Sequence, residues 1–296
     1  MILSGAARMA GVMGWPVSHS RSPKLHGFWL EQYGIDGAYL PLPVAPAHFR
    51  EALRILPRIG FAGVNITVPH KEAALAAVDR LEPVAKRIGA VNTVIAAADG
   101  TLTGTNTDAH GFMANLESGW AGFRAAAGPA VVLGAGGAAR AVCVALLDAG
   151  VPEIRLLNRS ADRAERLAHE FGGPIRTFAW ERRAELLADA ALLVNATTLG
   201  MAGQPPLALA LDRLPATALV NDIVYVPLET PLLKAARARG NPAVDGLGML
   251  IHQASIGFAA WFGVAPAASP ALRAFLVADL TQADLTKADL TKAGPT

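Results

Sequence analysis

The residues best suited to chemistry sit in a few short polar clusters. Lys71 closes the run Gly63-Val-Asn65-Ile-Thr67-Val-Pro-His-Lys71. Asn65 and Thr67 alternate with apolar residues, so a strand would turn both to one side and leave Lys71 at its mouth. A lysine there, beside a carboxylate, suits acid–base work; alone it is an ordinary solvated charge. A carboxylate is available in Gly104-Thr-Asn106-Thr-Asp108, which follows Gly89-Ala-Val-Asn92-Thr. Asn and Asp often do no more than shape turns. Two Asn-Thr pairs so close together, the second ending in Asp, go beyond what turns need. Upstream lies Ser18-His-Ser20-Arg-Ser22-Pro. In an extended segment Ser20 and Ser22 would share a side, where paired hydroxyls suit a carboxylate. The same letters fit a helix-entry loop with Ser22 as N-cap.

A second kind of signal is the glycine-rich turn Gly134-Ala135-Gly136-Gly137-Ala138-Ala139-Arg140, placed between the apolar run Ala130–Leu133 and a helix-forming stretch. Gly134 permits the tight turn, Gly136 lets backbone approach a pyrophosphate, and Ala139 keeps helix and sheet close. The helix N-terminus adds free N–H groups and a positive dipole end. The pattern predicts a dinucleotide site, although glycine turns also serve packing alone. An NAD site places Asp or Glu about twenty residues further on, against the ribose 2′-hydroxyl. Here the next strand ends in Asn158-Arg159-Ser160, with Arg163 following. The two arginines and the serine hydroxyl match a 2′-phosphate, which favours NADP(H).

These clusters need elements to hold them. Short Val/Ile/Leu-rich runs alternate with Ala-rich helical stretches, the pattern of βαβ units. Strands are expected at residues 10–14, 38–43, 63–68, 93–97, 130–134, 153–158, 192–195 and 218–223. Helices are expected at 24–33, 47–59, 71–78, 109–116, 138–149 and from Met249 to about Phe262. The fold class is α/β: an N-terminal substrate domain with a mostly parallel sheet, and a Rossmann-type dinucleotide-binding domain. A boundary falls between Asp108 and Gly128, and another near Asp245-Gly246-Leu-Gly.

Composition narrows the class further. With 26 basic and 24 acidic residues the net charge is +2, which gives no reason to expect a nucleic-acid partner. Hydrophobic content is 52%, but the most apolar stretch, 125–147, is broken by glycines, Pro129 and Arg140, so no membrane span is expected. The N-terminus lacks the layout of a secretory signal. A lone Cys143 rules out an internal disulfide, and the cytoplasm is the default compartment. The seven histidines are scattered without ligand spacing, so no metal site is expected. Near the C-terminus Ala-Asp-Leu-Thr-x recurs at 278–282, 283–287 and 288–292. Three copies are too few for a solenoid core, and a polar helical or frayed extension is expected.

Taken in order, the motifs resemble those of the shikimate dehydrogenases. The matching runs are Ser20-Arg-Ser22-Pro, Asn65-Ile-Thr67-Val-Pro-His-Lys71, Gly89-Ala-Val-Asn92-Thr, Asn106-Thr-Asp108, Gly134-Ala-Gly-Gly-Ala138, Asn158-Arg-Ser160, Asn195-Ala-Thr197 and Asp245-Gly-Leu-Gly-Met249-Leu-Ile-His-Gln253. They span about residues 10 to 275. The resemblance implies reversible reduction of 3-dehydroshikimate to shikimate by NADPH, in aromatic amino-acid biosynthesis. Lys71 and Asp108 would be the catalytic pair. Ser20, Ser22 and Tyr225 would hold the substrate carboxylate, with Asn65, Thr67, Asn92, Asp108 and Gln253 serving the remaining substrate contacts. The glycine turn, Asn158, Arg159, Ser160, Arg163, Thr197, Ile223, Gly246 and Met249 would bind cofactor. It also implies that the final helices return to the first domain, giving 1–108 with 246–296 and 109–245. A quinate or quinate/shikimate dehydrogenase, or a non-catalytic NADP(H)-binding regulator, uses the same scaffold. A regulator would be expected to lose Lys71 or Asp108 first, and both are present. The sequence leaves the oligomeric state open, a homodimer included.

Overall fold

Strand β1 (Arg8–Gly14) is apolar along most of its length, and its last five residues are buried. A strand of that kind has to be covered on both faces. The computed structural model describes residues 2–292, with side chains as far as Thr281. The described chain divides into two compact units. The first holds residues up to Phe112, with Arg140–Val144 and Leu250–Ala268; the second holds Met113–Ala139, Ala145–Met249 and the residues from Ser269 on.

The first unit continues with helix α1 (Ser22–Gln32), strand β2 (Gly37–Pro43), helix α2 (Phe49–Ile55) and strand β3 (Phe61–Ile66). Next come β4 (Arg80–Leu81), α3 (Pro83–Ile88), β5 (Thr93–Ala96), β6 (Leu102–Thr105) and the start of α4 (Asp108–Gly119). The sheet order is β2-β1-β3-β5-β6-β4. Pairs β1–β2, β1–β3 and β4–β6 are parallel, while β5 runs antiparallel to both β3 and β6. Consequently the C-terminal ends of β3 and β6 gather beside the N-terminal end of β5. Register places Asn65 opposite Thr93, and Thr93 opposite Thr105. Pro41 and Pro43 sit on β2, which pairs only with β1, and an edge is where missing N–H groups are tolerated. Gly63, at φ 152°, has no room for a β-carbon: it would strike the Val94 carbonyl and the Trp261 indole.

In the second unit strands β7 (Ala130–Leu133), β8 (Ile154–Leu157), β9 (Ile175–Phe178), β10 (Leu192–Asn195), β11 (Leu219–Asp222) and β12 (Ala243–Val244) are all parallel. Helices α5 (Gly137–Asp148), α6 (Ala161–Phe171) and α7 (Pro231–Ala238) intervene. The sheet order β9-β8-β7-β10-β11-β12 reverses direction between β7 and β10. That is the doubly wound arrangement, whose ligands bind beyond the strand C-termini at the reversal. Its core joins Val131, Leu133, Leu193, Val220 and Leu233.

Two long helices close the described chain: α8 (Leu247–Phe262) and α9 (Pro270–Lys292). The expected domain edges were 108/109 and 245/246; the unit changes fall at Phe112/Met113 and Met249/Leu250. Residues from Ser269 group with the second unit, where Arg273 pairs with Asp245 at 2.5 Å. The first of the tail repeats continues α9, whose backbone runs helical to Lys292; the side chains of the other two lie outside the described residues.

Several expected elements differ. The helix foreseen over 47–59 is broken into short helical pieces: three-residue and four-residue 3₁₀ segments flank α2, at Pro46–His48 and Leu56–Ile59. Pro57 lacks the N–H that an α-helix needs there. The helix foreseen over 71–78 is only a 3₁₀ turn, Ala73–Ala76. The Lys71 carbonyl accepts the Val91 N–H at 2.8 Å, and Leu75 N–H turns to Glu72 instead. Tertiary pairing has overridden a good local helix propensity. Strands β4, β6, β9 and β12 were not anticipated; each is two to four residues long.

Candidate active site

The polar clusters of the first unit meet at the strand ends described above. Asp108 begins α4, its N–H bonded to Asn106 Oδ1 at 3.0 Å, and Asn106 is itself held by the Ala90 carbonyl at 2.9 Å. A carboxylate in a first helical turn is stabilised by the N–H groups and the dipole. Lys71 Nζ donates to Asp108 Oδ2 at 2.5 Å, and the two side chains are only 15% and 6% exposed. Such a buried pair holds the ammonium in a fixed position and direction.

Asn92, buried at the entrance to β5, organises what surrounds Asp108. Its amide N–H₂ faces Asp108 Oδ1 at 2.8 Å, Thr107 Oγ1 at 2.9 Å and Gln253 Oε1 at 3.3 Å. Its oxygen accepts from the Thr107 N–H at 2.8 Å and the Thr93 hydroxyl at 2.9 Å. Gln253, on α8, also accepts from the Thr107 hydroxyl at 3.3 Å and donates to the Leu250 carbonyl. Lys71, Asn92, Asp108 and Gln253 are therefore brought together within one unit.

Other expected residues behave differently. The alternation along β3 predicts that Asn65 faces substrate, but its polar atoms are engaged inside the protein. Its oxygen accepts from Tyr39 Oη at 2.6 Å, and its N–H₂ donates to the Asn92 carbonyl and to Thr93 Oγ1. Thr67 follows β3 half-buried, its N–H bonded to the Met13 carbonyl. Ser20 and Ser22 do not lie in an extended segment. Arg21 between them is helical (φ −93°, ψ −2°) and is the N-cap of α1, the position expected of Ser22. Ser20 Oγ instead accepts the Ser22 N–H at 3.3 Å, which leaves the Ser20 O–H available as a donor. Tyr225 belongs to the second unit, half-buried after β11.

In the second unit Gly134 takes φ 112°, and a β-carbon there would press on the Ala196 carbonyl at 2.7 Å. Gly136 is the N-cap of α5 without a side-chain cap bond, and open space lies where its β-carbon would be. Ala135, Gly137 and Ala138 complete the turn, and Ala139 is fully buried. Asn158 bonds the Ser160 carbonyl at 2.9 Å, with Arg159, Ser160 and Arg163 exposed at the start of α6. Gly246 lies so close to Ile223 that a β-carbon would collide with its backbone, and Met249 is buried three residues on. Thr197 is fixed by Asn195 Oδ1, which accepts both its N–H and its hydroxyl.

Asp222 was not singled out from the sequence, yet it braces this end of the sheet. One oxygen accepts from Asn195 Nδ2 at 2.9 Å and the Val224 N–H at 3.0 Å, and the other from the Thr230 hydroxyl at 2.7 Å. Burial pushes its carboxyl up to about 6, against the opposing pull of those donors. The signal available was the polar pair Asn221-Asp222 ending a strand that begins Leu219-Val220. Among the described residues no group of three or more His, Cys, Asp or Glu is placed to hold a metal, and no helix is long and apolar enough to cross a membrane.

A doubly wound parallel sheet with a bare glycine turn at its reversal, carried on one chain with a buried Lys–Asp pair, defines a dinucleotide-binding α/β dehydrogenase. Comparison with known proteins specifies the family. Residues 12–94 match the shikimate dehydrogenase substrate binding domain, and residues 123–201 match the shikimate / quinate 5-dehydrogenase model. The chain is 64% identical over 275 residues to a shikimate dehydrogenase (NADP(+)) of Paramagnetospirillum magneticum, covering 93% of this chain and 100% of the relative. It is 59% identical to the enzyme of that name from Rhodospirillum rubrum, covering 92% and 98%. Among solved structures, shikimate 5-dehydrogenase from Thermus thermophilus in complex with NADP(H) and shikimate superposes with TM-score 0.81 at 41% identity, covering 93% and 99%. Quinate dehydrogenase from Corynebacterium glutamicum in complex with NAD gives 0.84 at 33% identity, covering 91% and 99%. This chain belongs to the shikimate dehydrogenase family.

Proposed function

We propose that the protein catalyses the reversible NADPH-dependent reduction of 3-dehydroshikimate to shikimate. The observation that carries this reading is the buried Lys71–Asp108 pair, with Asn92 bonded to the second oxygen of the same carboxylate. The second unit fits the cofactor. Gly136 leaves space and uncapped N–H groups for a pyrophosphate. Arg159, Ser160 and Arg163 follow β8 where an NAD site would carry a carboxylate. When bound, the reduced nicotinamide supplies the hydride equivalent to the ring carbonyl.

The chain's own residues manage the oxygen and the ring. As the carbonyl oxygen gains negative charge, Lys71 Nζ stabilises it and passes it a proton. Asp108 holds the ammonium in place and, with Asn92, Thr67 and Gln253, accepts or donates to ring hydroxyls. The Ser20 and Ser22 hydroxyls take the substrate carboxylate. Lys71 and Asp108 are in direct contact, so the ammonium that hands over the proton is oriented by the carboxylate. In this reading the working compartment is the cytoplasm. Quinate oxidation is the second reading, favoured by the likeness to the Corynebacterium enzyme.

The test follows reduced-nicotinamide absorbance with 3-dehydroshikimate and with 3-dehydroquinate, each with NADPH and NADH. The expected result is fastest decay for 3-dehydroshikimate with NADPH. Preference for 3-dehydroquinate would transfer the assignment to the quinate enzyme. Cofactor binding without decay on either substrate would make the chain a regulator.

A further inference from the structure

The bonds around Asn65 form a chain with a single direction. Tyr39 Oη–H donates to Asn65 Oδ1 at 2.6 Å, and Asn65 Nδ2–H donates to Thr93 Oγ1 at 3.1 Å. Thr93 Oγ1–H donates to Asn92 Oδ1 at 2.9 Å, and Asn92 Nδ2–H donates to Asp108 Oδ1 at 2.8 Å. The Lys71 ammonium meets the other carboxylate oxygen. The links from Tyr39 to Asp108 are buried within the first unit: Asn65, Asn92, Thr93 and Asp108 are each at most 5% exposed.

Both ends fix the direction. Asp108 can only accept when ionised, which orients the Asn92 amide. The Thr107 N–H, bonded to Asn92 Oδ1, enforces the same orientation. At the far end the Asn92 carbonyl, which also accepts the Ile66 N–H at 2.7 Å, lies 3.2 Å from the Asn65 amide; an oxygen there would face another acceptor, so Asn65 turns Nδ2 to it and Oδ1 to Tyr39. Tyr39 is itself immobilised: its ring stacks on His26 at 3.8 Å and 3°, and lies 6.0 Å from Trp261. Among the described residues, the Tyr39 hydroxyl is the donor assigned to Asn65 Oδ1.

We infer that Tyr39 is a positioning residue for the reaction, holding Asn92 and Asp108 in register through Asn65 and Thr93. Asn65 then serves as a relay inside the wall of the site and not as a ligand of the substrate. Without the Tyr39 hydroxyl, Asn65 Oδ1 is a buried acceptor with no donor. The amide turns to find one and releases Thr93, and Asn92 loses the bond that sets its tilt toward Asp108. The inference rests on the proposed dehydroshikimate reduction, in which Asn92 and Asp108 meet the substrate directly.

The test is Tyr39→Phe, which keeps the ring and removes only the oxygen. KM for 3-dehydroshikimate should rise about 3- to 10-fold, the scale of one displaced hydrogen bond, with KM for NADPH held within about twofold. An inactive fraction would lower kcat and leave both KM values alone. A folded Tyr39→Phe whose KM for 3-dehydroshikimate stays at the parent's value overturns the inference. Thr93→Val breaks the chain one link nearer the site and should act in the same direction, while Thr93→Ser, which keeps the hydroxyl, should restore the parent value. In the Thr93→Val background Tyr39→Phe should add less than about twofold, since coupled residues are not additive; a full additional effect would again refute it. Should Tyr39→Phe fail to fold, the Thr93 pair alone decides. If the parent itself turns over no dehydroshikimate, the functional reading falls and crystal structures of parent and Tyr39→Phe settle the relay separately. Loss of the Asn92–Asp108 bond in the variant supports it, and an unchanged bond overturns it.

Discussion

His26 shows how a single buried group shapes the behaviour of the first unit. It lies on α1 with no exposure, stacked on Tyr39 and edge-on to Trp29, and neither ring nitrogen has a partner among the described residues. Burial pushes its pKa down to about 3 from 6.5, so the folded state keeps it neutral. The unfolded chain takes up a proton near pH 6.5. Stability from this group is therefore intact above that pH and is lost as pH falls from 6.5 toward 3, by about 2 kcal/mol at pH 5. His26→Phe removes the titration and two unpaired nitrogens while keeping an aromatic ring. Its melting temperature should exceed the parent's by several degrees at pH 5, and the gap should narrow by pH 7.5. Calorimetry at the two pH values checks this, and a gap of equal size at both would refute the linkage. In the sequence His26 was one of several scattered histidines. Nothing in its spacing showed that four aromatic residues, Trp29 of α1, Tyr39 of β2, and Phe258 and Trp261 of α8, would close around it. Lys71 and Asp108 were legible because their types and flanking motifs name their chemistry. Tyr39 and Thr93 were not: Thr93 meets Asn65 through the β3–β5 register, which pairs residues 28 positions apart, and Tyr39 reaches Asn65 from β2, on the far side of β1 in the sheet.

At the scale of elements the sequence disclosed most where one strand's pattern was self-sufficient. Apolar runs such as Ala130–Leu133 and Leu192–Asn195 needed only their own composition to be read as buried parallel strands. The short β6 and β4 were hidden because they hold their place through partners: the Asp79 N–H donates to the Leu102 carbonyl, and the Thr105 hydroxyl donates to the Glu82 carboxylate. The same dependence on neighbours makes Asp222 a sensitive joint between β10 and β11. Its folded pKa, raised to about 6 from 3.8, means that the folded state binds a proton the unfolded state does not. Stability contributed by this protonation is present below about pH 4 and is lost as pH rises through 6, on the order of 3 kcal/mol in all. The sign is opposite to that of His26, and the two groups lie in different units. Asp222→Asn removes the titration and keeps an acceptor for the Asn195 and Val224 donors. Hydrogen exchange of the β10 and β11 amides should become slower with falling pH from 7 to 5 in the parent, after correction for intrinsic rates, and show no such trend in the variant. A trend shared by both would place the pH response elsewhere.

In the proposed reaction the whole molecule divides two tasks between its units, and the division can be measured. The residues assigned to the 2′-phosphate, Arg159 and Arg163, lie in the second unit, and the Lys71–Asp108 pair lies in the first. Hydrogen bonds to a charged phosphate are worth about 1.5–3 kcal/mol each. Losing two of them should weaken NADPH binding by roughly 10²-fold or more. The double variant Arg159→Ala, Arg163→Ala should therefore raise KM for NADPH by that factor. Its KM for NADH, which has no 2′-phosphate, should change by less than about threefold, and kcat at saturating NADPH should stay close to the parent's, because uniform binding was removed. Lys71→Ala should show the reverse pattern. It should lower kcat by about 10²–10⁴-fold, the range for a lost acid–base group, while the dissociation constant for NADPH, read by fluorescence titration, stays within about twofold of the parent's. Cofactor choice and proton handling would then be properties of different units of one chain. Equal losses for NADPH and NADH in the arginine variant would mean that the arginines support the fold of the β8–α6 turn and not the phosphate. A Lys71→Ala variant that kept turnover within about threefold of the parent would remove the lysine from the chemistry.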